Sequence, residues 1–348
     1  MTAWSELLGR LVSGGDLSAA QARGAMEQVM AGDVTPVALA GLLVALAAKG
    51  ETVEELGGFA DAMVSAAVPL PVQGRTVDIV GTGGDRHRSV NISTMAALVA
   101  AGTGLRVVKH GNRAASSASG AADVLEALGV RLDAAPARVA DLAHEVGITF
   151  AFAQVFHPSM RHAGPARREL GIPTVFNVLG PLTNPARPAA GAIGVANARM
   201  APLMAGVFAE RGSSVLLYRS GDGLDEWATT APARIWEVSG GRVVEHEIDA
   251  VTAFGMPRAT LEDLRGADAA FNADVVRRVL AGERGPVRDA VVLGAASAVV
   301  ADGTRTGDGE LVERMREGIA IAQESIDSGA AAGALERWVT ASAASPVG

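Results

Sequence analysis

The run Lys109–Arg113 is the densest group of chemically active side chains in the 348-residue chain. It places two cations, an imidazole and an amide around Gly111, and several serines follow. An apolar stretch from Leu105 predicts a buried strand before the run, and Ala121–Leu128 predicts a helix after it. Backbone N–H groups at a helix start are unpaired, and the helix dipole favours negative charge there. The arrangement predicts a site for an anionic ligand, and the alternative is a solvated basic loop.

A glycine loop, Gly81–Asp85, directly follows a second predicted strand, Thr76–Val80. Glycines let the chain turn tightly and let backbone N–H groups approach a phosphate, and Asn91, Ser93 and Thr94 then open a helix. The loop lacks the third glycine of the dinucleotide fingerprint and the Gly-Lys-Ser/Thr of a P-loop, which disfavours NAD and nucleoside triphosphates. Ligands of open α/β sheets bind at the carboxyl ends of strands, so two such loops predict a ligand with more than one phosphate. A plain turn is the alternative.

Adjacent carboxylates, Asp225 and Glu226, close a third loop that begins at Gly221 after the predicted strand Ser214–Tyr218. The sequence offers no nearby Lys or Arg before Arg234. Mg²⁺ typically binds through one or two carboxylates together with substrate phosphates and water. The pair therefore predicts a magnesium site, and a solvated acidic turn is the competing interpretation.

A basic and proline-rich segment, 158–182, interrupts the pattern and is predicted to form one wall of a cleft, with a helix over Ala163–Leu170. One of its arginines could hold a carboxylate with two parallel hydrogen bonds. A histidine metal site is disfavoured because no helical H-E-x-x-H arrangement is present. The polar residues at issue are His157, Arg161, His162, Arg167 and Arg168.

The elements that position these groups predict an α/β fold with two domains. Residues 1–70, joined by a portion of 158–187, form a small all-helical domain, and 75–342 form a large α/β domain with a mostly parallel central sheet flanked by helices. Prolines and a glycine at 69–74 mark the hinge. Predicted helices include Ser18–Ala31, Pro36–Ala48, a capped helix from Thr52 to about Ala67, and Val291–Val300, whose type the sequence leaves between helix and strand. Predicted strands are Thr76–Val80, Leu105–Lys109, Thr149–Ala153, Gly191–Val195, Ser214–Tyr218 and a hairpin of Ile235–Val238 with Val243–Ile248.

Bulk composition limits the function further. Half of the chain is apolar (49%), the net charge is −8, and cysteine is absent. These values disfavour nucleic-acid binding, exclude disulfides and thiolate chemistry, and fit a cytoplasmic protein. The N-terminus lacks the pattern of a signal peptide, and Pro36–Ala48 is too short to span a bilayer. That apolar run predicts a core helix or a homodimer interface.

Taken together, the motifs resemble the anthranilate phosphoribosyltransferase family. They are GTGGD at 81–85, NIST at 91–94, KHGNR followed by SS from 109, VFNVLGPLTNP at 175–185 and GLDE at 223–226. All stand in the family's order, and the resemblance extends from the N-terminal helices to about Val339. It implies a homodimeric enzyme whose substrates are anthranilate and phosphoribosyl pyrophosphate, with Mg²⁺ as cofactor, two ions per subunit, and no nucleic-acid or membrane partner.

The resemblance also assigns roles residue by residue. It implies catalytic roles for Lys109, Asn112 and Arg167, metal binding by Ser93, Asp225 and Glu226, and anthranilate binding by Gly81, His110, Asn112, Arg167 and Pro181. It implies a phosphoribosyl pyrophosphate site formed by Gly81, Gly84, Asp85, Ser89, Asn91, Ile92, Ser93, Thr94, Lys109, His110, Gly111, Asn112, Arg113, Ala114, Ala115, Ser116, Ser117 and Ala121.

The chain departs from the family pattern in the glycine loop. Arg86 replaces the usual glycine and precedes His87 and Arg88, Ser89 replaces a threonine, and Trp227 replaces a leucine. Arg86 could add a phosphate contact or slow loop closure. A pyrimidine nucleoside phosphorylase of the same fold and a catalytically silent regulatory relative are the other functions considered. The Asp225–Glu226 pair argues against the phosphorylase, and the negative charge and intact motifs argue against the silent relative.

Overall fold

The computed structural model describes residues 4–114 and 119–344. It begins with four helices, α1 (Trp4–Val12), α2 (Ala19–Ala31), α3 (Pro36–Lys49) and α4 (Val53–Ser65), which confirms the predicted helical start. Ser18 and Thr52 begin α2 and α4 with capping boxes, so that backbone N–H groups at both helix starts are paired. The proline at the start of α3 and Gly50 after it delimit that helix as the sequence predicts.

The apolar helix α3 is largely an internal core element. Leu39, Leu42 and Leu46 on it are buried, whereas Val37 and Val44 are exposed. No helix in 4–114 and 119–344 combines the length and the apolar content needed to cross a membrane.

A single seven-stranded sheet forms the centre of the molecule, in the order β3-β2-β1-β4-β5-β6-β7. The first five strands are parallel and the last two form an antiparallel hairpin. Their bounds are β1 Val77–Gly81, β2 Val107–Gly111, β3 Ile148–Phe152, β4 Ala190–Gly194, β5 Ser214–Ser220, β6 Ala233–Ser239 and β7 Arg242–Ile248. The predicted strands and hairpin are confirmed, although most boundaries differ by one or two residues. The strand predicted over Leu105–Lys109 is shifted by two residues: β2 begins at Val107 and extends beyond Lys109 to His110 and Gly111, which pair in register with β3.

Helices cover both faces of the sheet. One face is covered by α5 (Ile92–Gly102), α14 (Pro286–Asp302), α15 (Leu311–Asp327) and α16 (Ala330–Ala343). The other face is covered by α11 (Met200–Glu210) together with the N-terminal helices. Neighbouring residues on β5, Leu216 and Leu217, belong to the two different cores, as the alternation of a strand requires. The region 291–300 lies within α14, which decides in favour of helix. The other helices in the described residues are α6 (Ala121–Ala127), α7 (Pro136–Glu145), α8 (Ala153–Phe156), α9 (Gly164–Leu170), α10 (Phe176–Leu179), α12 (Ala250–Phe254) and α13 (Ala269–Leu280).

The irregular segment after β3 returns to the N-terminal helices. α9 packs on α3, and the 3₁₀ turn Pro158–His162 packs on α2. The predicted helix over 163–170 is confirmed as α9, while the sequence does not predict the short helices α8 and α10. Four-residue helices carry too little periodicity to be recognised in a proline-rich sequence.

Candidate active site

A cleft of about 1000 Å³ opens at the carboxyl ends of β1 and β2 and faces α9 and the segment around Pro181. The chain runs from β1 outward to β2 and β3, then crosses to β4 and β5 on the other side of β1. Such a reversal of strand order is where open α/β sheets bind ligands.

The structure gathers nearly all predicted site residues in this cleft. Thr94 is the exception, because its side chain is buried on α5 outside the lining. Ala115, Ser116 and Ser117 lie outside the described residues. The predicted residues that line the cleft are Gly81, Gly84, Asp85, Ser89, Asn91, Ile92, Ser93, Lys109, His110, Gly111, Asn112, Arg113, Ala114, Ala121, Arg167, Pro181, Asp225 and Glu226.

The acidic loop after β5 reaches across β4 to the end of β1. Two glycines paired in register, Gly81 and Gly194, make this possible. A Cβ on Gly194 would lie 1.6 Å from the backbone oxygen of Asp225, and one on Gly81 would lie 2.4 Å from its Oδ2. The Asp225 carboxylate then accepts a hydrogen bond from the N–H of Gly83 at 2.6 Å. Because both strand ends are glycine, they leave the space in which the Asp225 carboxylate lies, between the 81–85 loop and the acidic loop.

Three carboxylates meet at this point. Burial raises the pKa of Asp225 to about 7, and the neighbouring Asp85 contributes to that rise by repulsion. Burial, and then repulsion from Asp225, raise the pKa of Glu226 well above its usual value. One oxygen of Asp85 is buried with no hydrogen-bond partner within 4–114 and 119–344.

This donor set fits a hard divalent cation. Buried carboxylates that repel one another are stabilised by a bound cation, and oxygen is the ligand atom that Mg²⁺ prefers. No closed cage of three or more Asp, Glu, His or Cys ligands occurs among the described residues. The arrangement thus suits an ion that keeps water and substrate oxygens in its coordination sphere, rather than one enclosed by protein alone.

Lys109 lies beneath the carboxylates and is buried near the end of β2. Its Nζ donates to the backbone oxygen of Ile79 at 2.5 Å and to Oγ of Ser93 at 3.2 Å. Burial lowers the pKa of Lys109, while the charges of Asp78 and Glu226 oppose that shift. The amine therefore sits at the ends of β1 and α5, where it can contact an anion entering the cleft.

Asp78 and Asn184 form a buried polar pair that the sequence analysis missed. The Asp78 carboxylate accepts from the N–H of His110 at 3.0 Å and from Nδ2 of Asn184 at 2.9 Å. Burial raises the pKa of Asp78 to about 6, although the charge of Lys109 draws it down. The available signal was a lone carboxylate within an apolar strand, since a buried carboxylate requires a partner.

Two histidines of the cleft lining, His110 and His157, lie side by side with ring centres 5.1 Å apart. Nδ1 of His110 lies 2.9 Å from the backbone oxygen of Gly180, and Nε2 of His157 lies 2.9 Å from that of Thr183. Because a carbonyl oxygen only accepts, each of these nitrogens carries the proton. Burial lowers the pKa of His110 to about 3, so its ring is neutral and its Nε2 is an acceptor without a partner among the described residues.

Arg167 on α9 provides an unpaired cation on the opposite wall. Its guanidinium lies 5.0 Å from the ring centre of Phe176 and has no carboxylate partner in the described residues of the chain. Arg113 differs, because Asp123 and Glu126 on α6 hold its guanidinium through ion pairs.

Asn112 lies at the exposed mouth of the cleft, where its Oδ1 accepts a hydrogen bond from the N–H of Arg113. Trp227 belongs to the core, packed between Tyr218 and Phe254.

Comparison with known proteins agrees with this architecture. The helical bundle domain of the glycosyl transferase family matches residues 5–67, and the a/b domain of that family matches residues 73–332. The fold and the site therefore define a glycosyl transferase with these two domains.

Two sequence relatives identify the family within this class of transferases. Anthranilate phosphoribosyltransferase from Nocardioides sp. is 58% identical over 345 residues, which are 99% of this chain and 100% of that protein. The enzyme from Arthrobacter sp. is also 58% identical, over 97% of this chain and 95% of its own length. The chain belongs to the anthranilate phosphoribosyltransferase family.

Solved structures give the same result. The crystal structure of anthranilate phosphoribosyltransferase from Thermus thermophilus superimposes with a TM-score of 0.90 at 45% identity, over 97% of this chain and 99% of that one. The Saccharomyces cerevisiae enzyme in complex with PRPP and Mg has a TM-score of 0.86 at 28% identity, over 98% of both chains.

Proposed function

We propose that the protein transfers the phosphoribosyl group of phosphoribosyl pyrophosphate to the amine of anthranilate, which releases pyrophosphate, as a step of tryptophan biosynthesis. One observation carries the proposal. A single cleft holds buried carboxylates and a buried lysine on one side, and on the other side an arginine that forms no ion pair within residues 4–114 and 119–344. The first set suits a magnesium pyrophosphate, and the second suits the carboxylate of an aromatic acid.

In this reaction the amine nitrogen attacks the anomeric carbon while the bond from that carbon to the pyrophosphate oxygen breaks. The nitrogen loses a proton and pyrophosphate leaves with the bonding electrons. Catalysis then depends on positioning and on stabilising negative charge as it develops on the leaving group. Lys109 and the backbone N–H groups of the 81–85 loop would stabilise that charge. Arg167 would hold the anthranilate carboxylate, with Asn112, His110 and Pro181 beside the ring.

The family's metal fits this site. Ser93, Asp225 and Glu226 would hold Mg²⁺, with two ions per subunit as the expected stoichiometry. The metal would neutralise charge on the pyrophosphate when bound. The roles of the remaining predicted residues of the phosphoribosyl pyrophosphate site are proposed as the resemblance implies them.

One assay tests the function. Anthranilate fluorescence should fall when the protein is mixed with phosphoribosyl pyrophosphate and Mg²⁺, and should stay constant when either is omitted. Release of a base from a pyrimidine nucleoside with inorganic phosphate tests the phosphorylase alternative on the same sample. Constant fluorescence beside an active reference enzyme would reject the proposal.

We also propose a cytoplasmic homodimer formed through the helical domain. Residues 1–70, joined by a portion of 158–187, would be that domain, and 75–342 would be the other. Val37 and Val44 support the dimer, because both are exposed apolar side chains seven residues apart on one face of α3. Sedimentation at micromolar concentration should give the mass of a dimer. A purely monomeric species would exclude it.

A further inference from the structure

Two arginines of the glycine loop adopt a backbone conformation that side chains disfavour. Arg86 and Arg88 have φ angles of 65° and 56°, in the left-handed region. Arg187, with a φ of 49°, is the remaining described non-glycine residue in that region. Such conformations persist where surrounding contacts impose them, and they concentrate at binding sites.

Contacts on both sides of the arginines impose this conformation. On one side, the Asp85 carboxylate accepts from the N–H of His87 at 3.1 Å and forms a tight turn around Arg86. On the other side, the N–H of Gly266 donates to the backbone oxygen of Arg88 at 2.8 Å, and Ser89 forms an antiparallel bridge with Arg265. The loop is thus held at both ends before any ligand arrives.

Alternate side chains of the glycine loop face different regions of the molecule. Arg86 and Arg88 line the cleft, whereas His87 does not and lies beside Gly223 in the acidic loop. Neither Arg86 nor Arg88 has a side-chain hydrogen bond or an ion pair within residues 4–114 and 119–344. Many arginines elsewhere on the surface are paired with carboxylates, as Arg23 is with Glu27 and Arg265 with Glu262. The loop therefore brings to the cleft two arginines that form no ion pair among the described residues.

We propose that Arg86 and Arg88 bind the pyrophosphate group of phosphoribosyl pyrophosphate from the open side of the cleft, opposite Lys109. The inference rests on the proposed function. A guanidinium offers paired N–H donors that match phosphate oxygens, and a polyanion supplies the counter-charge that both arginines lack. The loop carries the backbone strain in the free protein because it fixes the two cations in advance.

The test replaces each arginine by asparagine, which tolerates the left-handed conformation and removes the charge. Arg86→Asn and Arg88→Asn should each raise the KM for phosphoribosyl pyrophosphate about tenfold, the size expected for a lost charge-assisted hydrogen bond. The inhibition constant of pyrophosphate should rise by the same factor, while that of ribose 5-phosphate stays constant. The KM should also depend less steeply on ionic strength.

Arg187→Asn is the matched control, since it has the same residue type and the same backbone conformation outside the cleft. It should leave the KM and both inhibition constants unchanged. Urea unfolding should give similar midpoints for all three variants. An unchanged KM in both loop variants, or weaker binding of ribose 5-phosphate alone, would overturn the proposal.

A failure of the proposed function is distinguishable from a failure of this inference. Titration calorimetry of pyrophosphate with Mg²⁺ measures binding without turnover. If the wild type consumes no anthranilate, the proposed function fails. If the wild type binds pyrophosphate and the loop variants bind it equally well, the inference fails even when the enzyme is active.

Discussion

The floor and the rim of the cleft both carry charged side chains, but those of the floor are buried and the arginines of the rim are exposed. The floor is the buried group of Lys109 and His110, which line the cleft, with Asp78 and Asn184 behind them. Asp78 accepts hydrogen bonds of 3.0 Å from His110 and 2.9 Å from Asn184, and its charge attracts that of Lys109. The rim is the loop 83–89, where Arg86 and Arg88 are exposed and unpaired within the described chain. The floor therefore compensates its charges within the protein, whereas the rim leaves them for a ligand.

This difference teaches where stability and binding reside in the site. Removing one partner of a buried charge pair leaves the other charge desolvated, which costs folding free energy as well as function. Removing an exposed, unpaired cation changes the free energy of unfolding little and weakens only the binding of the ligand that the cation contacts. Floor variants should therefore change catalysis and stability, and rim variants should change substrate binding alone.

The largest effect is expected at Lys109. Lys109→Met keeps the apolar stem and removes the charge that faces the leaving group. We expect kcat to fall about 10³-fold, the loss typical of removing a preorganised charge-stabilising group. Steady-state fluorescence kinetics at saturating substrate measure it.

The rim variant Arg86→Asn is the comparison for this experiment and should alter KM with little change in kcat. A kcat near the wild-type value in Lys109→Met, with a folded circular dichroism spectrum, would remove Lys109 from the catalytic group. It would also erase the distinction between floor and rim.

The second-largest effect is expected for Asp78→Asn in the floor, and Asp85→Asn on the rim is its comparison. Asp78→Asn removes the counter-charge of Lys109 and turns one acceptor into a donor that faces another donor. We expect a loss of about 3 kcal/mol in the free energy of unfolding. Asp85→Asn on the rim removes a charge that repels Asp225, so its stability should remain within about 1 kcal/mol of the wild type or rise.

Urea unfolding of both variants without substrate or metal is the measurement. Equal destabilisation by the two substitutions would contradict the comparison. So would a stable Asp78→Asn.

The sequence predicted the motif residues that line the cleft better than the Asp78–Asn184 pair behind them, for a physical reason. Glycine loops, helix starts and charged motifs are local, so GTGGD and KHGNR could be assigned to strand ends without knowledge of the fold. Asp78 has main partners, such as Asn184, that are distant from it in sequence. Its role could not be derived before the sheet order was known.

Local signals are also incomplete within the motifs themselves. The sequence predicts Lys109 at the end of a strand or in a loop, and pairing with β3 places it inside the ladder. Arg113 is assigned by resemblance to the phosphoribosyl pyrophosphate site, yet carboxylates of α6 engage its guanidinium. Arg86 is recognisable as a departure, but its left-handed backbone depends on the turn with Asp85 and the bridge at Ser89. In each case the missing information is a partner elsewhere in the fold.

The smallest effect concerns the pH dependence of the floor. Burial lowers the pKa of His110 to about 3, whereas an unfolded histidine titrates near 6.5. Between these values the unfolded chain binds more protons than the folded one, so His110 makes stability fall as the pH decreases below about 6.5. At pH 5 this loss amounts to about 2 kcal/mol relative to pH 8. His110→Gln should therefore flatten the dependence of unfolding free energy on pH by that amount.

The control is the difference in unfolding free energy between the two proteins at pH 8, where His110 is neutral in both states. That difference measures the packing change. A variant whose curve stays parallel to the wild type from pH 8 to pH 5 would mean that His110 is not held neutral by the floor, and that the floor is more hydrated than its hydrogen bonds indicate.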